Sequence, residues 1–374
     1  MITRNDDPTV FSVILEQQLN PGEDVVISMK VKSWIPTLDA RYGCQSPADG
    51  KTDFYLGNAL PVLCPYENGD FQAYPYFSVG ECFYSKIADY DIIVSVPSDY
   101  TLIATGEATL VMDSQTGGSS TGNADDADGV QRMNGSRDEA GQSGSDRVVW
   151  QYQAAHVRDF CMVAGNDYQS QTRMIQGIRV TSYWHEGNEE RGNQALNLAC
   201  SSISSLSKRL GRYPYTQYSV VETDTAMTGM EYPEMIMYSD NQQGLDSIFH
   251  ETAHQWFYNL VGNNSYTSAW IDESLAAYVS NPGLTGYTGV ITRSYDQYGN
   301  DSDYVESMYF EGASMYNRLE QNEGSDAMQA FLDDYLKTGA YREVNTQELV
   351  NMLVEHFPNS TNILKEYIDS KYFQ

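Results

Sequence analysis

The sequence is poor in positive charge. It contains 22 lysine and arginine residues against 51 aspartate and glutamate residues, which gives a formal net charge of −29. A protein surface of this sign repels the phosphate backbone of nucleic acids and anionic lipid head groups. The composition therefore argues against nucleic acid as a partner.

Long apolar runs are also lacking. No run of about 18 apolar residues occurs, which predicts a chain without a membrane span. The first twenty residues, MITRNDDPTVFSVILEQQLN, have no basic start followed by an apolar stretch, so they do not indicate a secretory signal.

Cysteine is scarce and is not arranged in pairs. The five cysteines cannot all pair within one chain, and no CxxC spacing indicates a metal knuckle. A bridge between Cys44 and Cys64 and two free thiols fit the sequence about equally, so the redox compartment stays open.

The first half of the chain has the alternating pattern of β-strands. In residues 88–97, ADYDIIVSVP, the apolar side chains fall on one face and the polar ones on the other. Similar runs occur at 10–19, 24–31, 101–112, 147–157 and 177–184. We predict an antiparallel β-sandwich-like domain at residues 1–187, with a flexible insertion rich in Gly, Ser and Asp at 113–146.

The second half, residues 188–374, has mainly helical periodicity. Two short strands interrupt it near Tyr218 and Met235, which predicts an α+β domain with a helical C-terminal lobe. Helix ends are predicted at Gly262, at residues 281–283 and at Gly339, and Asn345 with Glu348 resembles a capping box. The protein is therefore expected to be multidomain.

A short motif on one predicted helix carries chemistry. Residues 250–254 read HETAH, and residues 245–262 around them have a helical apolar stripe. At this spacing His250 and His254 lie about 40° apart on the helix and can bind one metal ion. Glu251 projects about 100° away from His250, which keeps it from coordinating the ion but close to a water bound there. The alternative to a metal site is a pattern without chemical function, in which two histidines lie at the edge of a core and the glutamate is solvated.

The third ligand is predicted on the next helix. A catalytic zinc ion normally takes three protein ligands and leaves one position for water. Glu273, in WIDES, follows His254 after eighteen intervening residues, on a helix that can fold back against the first. The sequence thus predicts one Zn²⁺ ion held by His250, His254 and Glu273. Asp272 could orient a ligand histidine.

These residues carry a family resemblance. HExxH, eighteen residues and a glutamate form the signature of the gluzincin peptidases, and HETAH with WIDES resembles it. TGMEYPEM resembles the Gly-x-Met-Glu-Asn motif of the aminopeptidase N and leukotriene-A hydrolase family, and MYFEGASMY resembles its Tyr-x-x-Gly-Ala stretch. Further stretches at residues 80–107 and 149–165 resemble its N-terminal β domain. The resemblance implies a thermolysin-like catalytic domain at residues 188–374.

The resemblance also implies roles for single residues. Glu251 would be the general base and Tyr309 would assist catalysis, with Tyr304 as the second choice. Glu231 would bind the α-ammonium group of the substrate, beside Gly229 and Met230. Four positions depart from the family pattern, with Thr228 and Ser274 in place of glycines and Tyr232 and Asp272 in place of asparagines.

The implied activity is that of a zinc-dependent aminopeptidase that removes N-terminal residues from peptides by metal-activated water. The large C-terminal helical domain of many relatives is missing, so we expect a more open cleft. A thermolysin-like endopeptidase and a non-catalytic scaffold of the same fold are therefore the alternatives. An extracytoplasmic location, secreted or tethered through a missing N-terminal segment, is slightly favoured over a cytoplasmic one.

Overall fold

The structure is a computed structural model, and it describes residues 2–4, 9–38, 40–46, 50–75, 77, 79–81, 83–113, 146–225 and 227–373. The predicted flexible insertion lies almost entirely outside the described residues, because only Asp113 and Asp146 at its ends belong to them. No helix in the described part of the chain combines the length and the apolarity needed to span a membrane.

The described residues up to 165 contain strands and no helix. In chain order the strands are Ile2–Arg4 (β1), Phe11–Val13 (β2), Tyr42–Gln45 (β3), Asp53–Leu56 (β4), Tyr66–Glu67 (β5), Asp70–Phe71 (β6), Ala88–Pro97 (β7), Thr101–Ala104 (β8), Glu107–Asp113 (β9), Arg147–Val157 (β10) and Met162–Gly165 (β11). They form an antiparallel sheet of order β3-β4-β11-β8, a second of order β7-β10-β9, and two hairpins.

The sequence patterns of this region are confirmed in part. Along β7 the predicted apolar face is the more buried one, with Tyr90, Ile92, Val94 and Val96 partly covered. The strand predicted at 24–31 is wrong, because these residues are exposed and form no strand. Alternating apolar residues favour a strand only where a partner edge is available. Cys44 and Cys64 are free thiols, so the bridge between them does not form.

A five-stranded mixed sheet lies at the centre of the molecule. Its strands are Tyr168–Ile175 (β12), Ile178–His185 (β13), Gln217–Thr223 (β14), Gly229–Met230 (β15) and Met235–Ser239 (β16). The order is β12-β13-β14-β16-β15, in which β13, β14 and β16 are parallel and the two outer strands are antiparallel to their neighbours. The predicted strands near Tyr218 and Met235 are confirmed. Since β12 and β13 belong to this sheet, the sheet begins at Tyr168, before the predicted boundary at residue 188.

Helices cover most of the remaining chain. The α-helices are Glu189–Leu210 (α1), Gln242–Ala253 (α2), Ser265–Ser268 (α3), Trp270–Ser280 (α4), Asp301–Val305 (α5), Gly312–Glu323 (α6), Ser325–Gly339 (α7), Thr346–His356 (α8) and Thr361–Leu364 (α9). Three short 3₁₀ helices occupy Tyr295–Gln297, Pro358–Ser360 and Ser370–Tyr372, and a π-helix covers Glu306–Glu311. A short parallel pair, Val261–Gly262 (β17) with Arg342–Glu343 (β18), links the helical segments.

The helix ends test the sequence predictions closely. The ends at Asn281 and Gly339 are confirmed, as is the capping box of Asn345 and Glu348 that opens α8. The end at Gly262 is wrong, because α2 already ends at Ala253 and Gly262 lies in β17. The chain turns sharply in between, with Tyr258 at φ 112°, a value that apolar periodicity does not reveal.

One buried arginine joins the strands before residue 165 to the helical segments. The side chain of Arg158 is 1% exposed and pairs with the Glu343 carboxylate at 2.7 Å. It also donates hydrogen bonds to the carbonyl oxygens of Tyr258 and Arg342 at 2.6 and 2.9 Å. Lys86 lies 2.8 Å from the same carboxylate. Burial alone would raise the pKa of Glu343, but Lys86 and Arg158 hold it below its ordinary value.

Replacing Arg158 with methionine is expected to destabilise the protein. Removing one partner of a buried ion pair costs about 3–5 kcal/mol, and the lower end applies because Lys86 still pairs with Glu343. Denaturant unfolding of the Arg158→Met variant measures this loss. The exposed Arg212 offers a matched control, and Arg212→Met should change the free energy of unfolding by less than about 0.5 kcal/mol. Equal effects of the two variants would contradict the role of Arg158 in joining the two parts of the chain.

Candidate active site

The two predicted histidines lie on one face of α2. Asn241 caps the helix start by accepting the Gly244 N–H at 3.0 Å. His254 follows the last residue of α2 and keeps helical backbone angles, so its ring stays one turn from that of His250. The two Nε2 atoms are 3.1 Å apart.

The backbone fixes the proton position on His254. Its Nδ1 atom lies 2.9 Å from the carbonyl oxygen of Phe257, and a carbonyl can only accept. Nδ1 therefore carries the proton in the neutral ring, and the lone pair on Nε2 points toward His250. The predicted orienting partner, Asp272, instead accepts a hydrogen bond from Asn263 Nδ2 at 2.8 Å. Because α2 ends at Ala253, the chain turns and brings the Phe257 carbonyl to the His254 ring.

Glu273 completes a triangle with the histidines. It lies in the first turn of the buried helix α4, and its Oε2 atom is 3.3 Å from His250 Nε2 and 3.5 Å from His254 Nε2. Ligands about 2.0–2.1 Å from a tetrahedral ion are about 3.3–3.4 Å apart. The same oxygen is buried and has no hydrogen-bond partner among the described residues. The three side chains therefore fit an ion of the size of Zn²⁺.

The charges around this triangle favour a cation. Burial disfavours protonation of His254, but Glu273, Asp272 and Glu251 outweigh burial and raise its pKa to about 10. Burial also disfavours ionisation of Glu273, but both histidines lower the pKa of that carboxyl well below its usual range. Positive charge at this point is thus electrostatically favourable.

Glu251 lies between the histidines in sequence and faces the edge strand β15. It is 6% exposed, and burial, followed by the charges of Glu81 and Glu273, raises its pKa to about 8. A Cβ atom at Gly229 in β15 would overlap the Glu251 carboxylate. Glycine at this position therefore allows the strand to pass directly beside the carboxylate.

Three further residues of the TGMEYPEM segment have different surroundings. The Met230 side chain is 2% exposed, packs in the core with Val221 and Met237, and lies 3.1 Å from Arg41 Nη1 through its sulfur. Glu231 is 3% exposed and follows β15. Tyr232, at the departure from the family asparagine, donates its hydroxyl to Asn58 at 2.7 Å and so contacts the strands before residue 165.

The sequence analysis missed Glu81. This residue forms a carboxyl pair with Glu231, and burial, followed by the charge of Glu231 and a hydrogen bond to it, raises the Glu81 pKa well above its usual range. Burial also raises the pKa of Glu231 to about 8, while the hydrogen bond from Glu81 lowers it. The raised pKa of both groups favours a pair that shares a proton. Glu81 is one of many acidic residues and has no motif spacing, so the sequence offered no signal for it.

Two tyrosines approach the triangle from the same segment. Tyr309 lies in the π-helix, a rare element that is frequent at functional sites, and its ring centroid is 5.1 Å from that of His250. Burial, followed by the charges of Glu273 and Glu81, raises its pKa, so the hydroxyl keeps its proton. Tyr304 is 4% exposed, and its hydroxyl lies 3.4 Å from Glu273 Oε1. Tyr304 thus contacts the carboxylate, while Tyr309 faces the histidine.

The structure therefore brings seven of the eight predicted site residues together around the two histidines. The eighth is Met230, whose side chain packs in the core. His250, His254 and Glu273 form the triangle, Glu251 and Gly229 lie beside it, and Tyr309 packs on His250. Glu231 is close enough to raise the pKa of Tyr309. This arrangement can bind a cation, hold a proton at Glu251 and bind a second positive group at the carboxyl pair.

Comparisons with known proteins agree with this geometry. Residues 195–307 match the model of the Peptidase family M1 domain. Aminopeptidase M1-B of Oryza sativa subsp. japonica is 25% identical over 223 residues, 48% of this chain and 26% of that protein. Leucine aminopeptidase 2-1 of Meyerozyma guilliermondii is 22% identical over 191 residues, 41% of this chain and 31% of that protein. The matches thus span about a quarter to a third of the length of these curated relatives.

A solved structure shares the fold. The M1 zinc metallopeptidase from Deinococcus radiodurans matches with a TM-score of 0.52 at 16% identity, over 77% of this chain and 65% of that chain. At this identity the match shows a shared fold. The chain is thus similar to the Peptidase family M1 domain over residues 195–307.

The departure at Ser274 is matched by a glycine on a neighbouring helix. A Cβ atom at Gly312, the first residue of α6, would overlap the Ser274 side chain. We expect Gly312→Ala to destabilise the protein by about 1–3 kcal/mol, because it overpacks the contact between α4 and α6. The Ser274→Gly/Gly312→Ala double variant should regain most of that loss in denaturant unfolding. Additive effects of the two substitutions would contradict a direct contact.

Proposed function

We propose that the protein is a zinc-dependent aminopeptidase that hydrolyses N-terminal residues from peptides. The observation that carries this proposal is the carboxyl pair of half-buried Glu81 and buried Glu231 beside the triangle of His250, His254 and Glu273. A metal site alone supports hydrolysis of any peptide bond. Two acidic groups beside it support the binding of a free α-ammonium group, which only the first residue of a peptide carries.

One zinc ion would be held by His250, His254 and Glu273. When bound, zinc polarises a scissile carbonyl and makes a water molecule acidic enough to attack it. The buried position of Glu273 and its unpaired Oε2 atom support this assignment, since an unpartnered buried carboxylate oxygen is costly. The Phe257 carbonyl holds His254 in the tautomer that a metal requires.

Glu251 is proposed to move the proton. It projects from α2 next to His250, which places it beside a water molecule attacking from the triangle. The Glu251 carboxylate would take the proton of that water and later deliver it to the leaving amine. Gly229 supports this role because its missing side chain leaves the carboxylate room beside the edge strand.

Tyr309 is proposed to donate a hydrogen bond to the oxyanion of the tetrahedral intermediate. Its raised pKa keeps the hydroxyl protonated, and its ring lies against His250. Removing one such donor costs about 10²–10³-fold in kcat in other enzymes. Tyr304 is the weaker choice, because its hydroxyl already contacts Glu273.

The substrate would enter as an added strand. β15 is the outer strand of the five-stranded sheet, and its free edge can pair with an extended peptide. The α-ammonium group would then meet Glu231 and Glu81. Its positive charge would favour the ionised form of the pair, which burial disfavours in the empty site.

We further propose two parts for the chain, a β-sandwich-like N-terminal part and a thermolysin-like catalytic part with a helical C-terminal lobe. The grouping of β12 and β13 with the central sheet supports a division near residue 166 in place of the predicted 187. An extracytoplasmic location remains part of the proposal, with peptides that carry a free N-terminus as substrates.

Hydrolysis of aminoacyl-4-nitroanilides tests the proposed activity. Free aminoacyl substrates should be cleaved, activity should disappear with a chelator, and added Zn²⁺ should restore it. The N-acetylated versions should not react, because they lack the charge that Glu231 and Glu81 bind. Cleavage of the acetylated substrates would favour an endopeptidase, and no cleavage of either set would favour a scaffold.

Glu251→Gln separates catalysis from metal binding. This variant should lose at least about 10²-fold in kcat, since general acid–base catalysis contributes about 10²–10⁴-fold. Its zinc content should equal that of the unchanged protein. Retained activity would exclude Glu251 as the proton carrier.

Substitutions at Glu81 test the amine site, and the proposed sharing of one proton by the pair makes their outcome specific. Glu81→Gln should keep most activity, because an amide can donate to Glu231 and accept from an ammonium group. Glu81→Leu should raise KM about 10–100-fold, which corresponds to the loss of a hydrogen bond to a charged group. The exposed Glu189 provides the control, and Glu189→Gln should leave KM unchanged. Equal damage from the Gln and Leu variants would show that Glu81 acts as an ionised carboxylate.

A further inference from the structure

A second cluster of metal-ligand side chains lies at another edge of the central sheet. His185 is the last residue of β13 and Asp224 follows β14, so both lie at the carboxyl ends of neighbouring parallel strands. Asp53, the first residue of β4, reaches the same place from the strands before residue 165. One ligand atom from each of the three residues lies within 4.8 Å of the others. None of them belongs to the candidate active site.

Two atoms in this cluster have no partner. The Asp53 side chain is 2% exposed, and its Oδ1 atom accepts no hydrogen bond from the described residues. His185 Nε2 is likewise buried and has no partner there. A buried polar atom without a hydrogen-bond partner costs about 1–3 kcal/mol. Two such atoms in a single cluster therefore indicate a missing ligand.

The orientation of the His185 ring is that of a metal ligand. Its Nδ1 atom lies 2.9 Å from Asp167 Oδ1, and an ionised carboxylate can only accept, so Nδ1 carries the proton. Burial disfavours protonation of His185, but Asp167, Asp53 and Asp224 outweigh burial and raise its pKa. A bound metal ion would therefore replace a proton at Nε2, the buried ring nitrogen without a partner among the described residues. Metal-bound histidines almost always donate their other ring nitrogen to a carboxylate or carbonyl in this way.

Charge in the cluster is unbalanced toward the negative side. Asp53, Asp167 and Asp224 surround one imidazole, and Lys51 lies nearby, 3.5 Å from Asp167 and 3.1 Å from the exposed Glu186. Burial, with Asp167 and Asp224 adding to it, raises the pKa of Asp53 to about 6. A bound cation would supply the charge that this carboxylate lacks.

Tyrosines cover part of the cluster, in which Asp53 is buried and His185 and Asp224 are half-buried. The Tyr168 ring packs on the His185 ring with centroids 4.4 Å apart, and the Tyr55 hydroxyl accepts the backbone N–H of Asp224 at 3.3 Å. Tyr55 is fully buried. Low local polarity strengthens the attraction between a cation and the carboxylates.

We propose that Asp53, His185 and Asp224 bind a second divalent transition-metal ion, for which Zn²⁺ is the probe. One nitrogen and two carboxylate ligands suit zinc better than calcium, which prefers oxygen ligands alone. The ion joins three distant parts of the sequence. It also fixes Asp224, which begins the connection to β15.

Metal analysis of the full chain tests this proposal. After chelation, reloading with Zn²⁺ and gel filtration, the protein should retain two zinc ions per chain. Asp53→Asn and His185→Gln should each retain one ion, since both disrupt this cluster alone, and the exposed control Asp99→Asn should retain two. Unchanged zinc content in both cluster variants would overturn the proposal.

A second background keeps this test independent of the proposed activity. His254→Ala removes a ligand of the active site and should retain one ion, and Zn²⁺ should raise its thermal unfolding midpoint. Adding His185→Gln should abolish both the ion and the shift. If the active site alone binds no zinc, the unchanged protein and His254→Ala each retain one ion and the cluster variants retain none. A midpoint shift that persists in the double variant, or one caused by Ca²⁺ and not by Zn²⁺, would overturn the second site.

Discussion

The arrangement of the active site depends on the repulsion between buried carboxylates. Glu81, Glu231, Glu251, Asp272 and Glu273 influence one another's ionisation in a poorly hydrated space. Two like charges 5 Å apart repel by roughly 3 kcal/mol at an effective dielectric constant of about 20. Arg41 and the two histidines offset part of this repulsion. The remaining deficit of positive charge matches the two cationic groups that an aminopeptidase must bind, a metal ion and a substrate ammonium group.

The fold maintains this unfavourable arrangement by placing the acidic groups on elements that are fixed elsewhere. Glu251 and Glu273 lie on α2 and α4, whose inner faces are buried, and Glu231 follows a strand of the central sheet. Glu81 comes from the strand-rich part of the chain, which Arg158 joins to the helical segments. The packing of these elements supplies the free energy that the carboxylates cost. The carboxyl pair of Glu81 and Glu231 therefore forms only when the two parts of the chain are docked.

Local patterns predicted the metal triangle, because the spacing of His250 and His254 is a property of any helix. Glu273 was found through the spacing of a known signature, and the capping box of α8 is also a local feature. The strand predicted at 24–31 failed because a strand needs a partner edge, which periodicity does not contain. Glu81 and the contact of Ser274 with Gly312 depend on which distant segments meet. The sequence thus predicted the positions of the helical site residues well and the contribution of the first half poorly.

The two acidic clusters share one structural feature, which connects cation binding to the docking of the chain's two parts. In each cluster a carboxylate from the first half, Glu81 or Asp53, meets groups presented by the central sheet or the helices packed on it. Without a cation, each of these carboxylates adds electrostatic repulsion between the two parts of the chain. With a cation, the same carboxylates become ligands or ion-pair partners and favour docking. In a chain with a net charge of −29, the proposed cations would therefore help to hold the two parts together as well as supply chemistry.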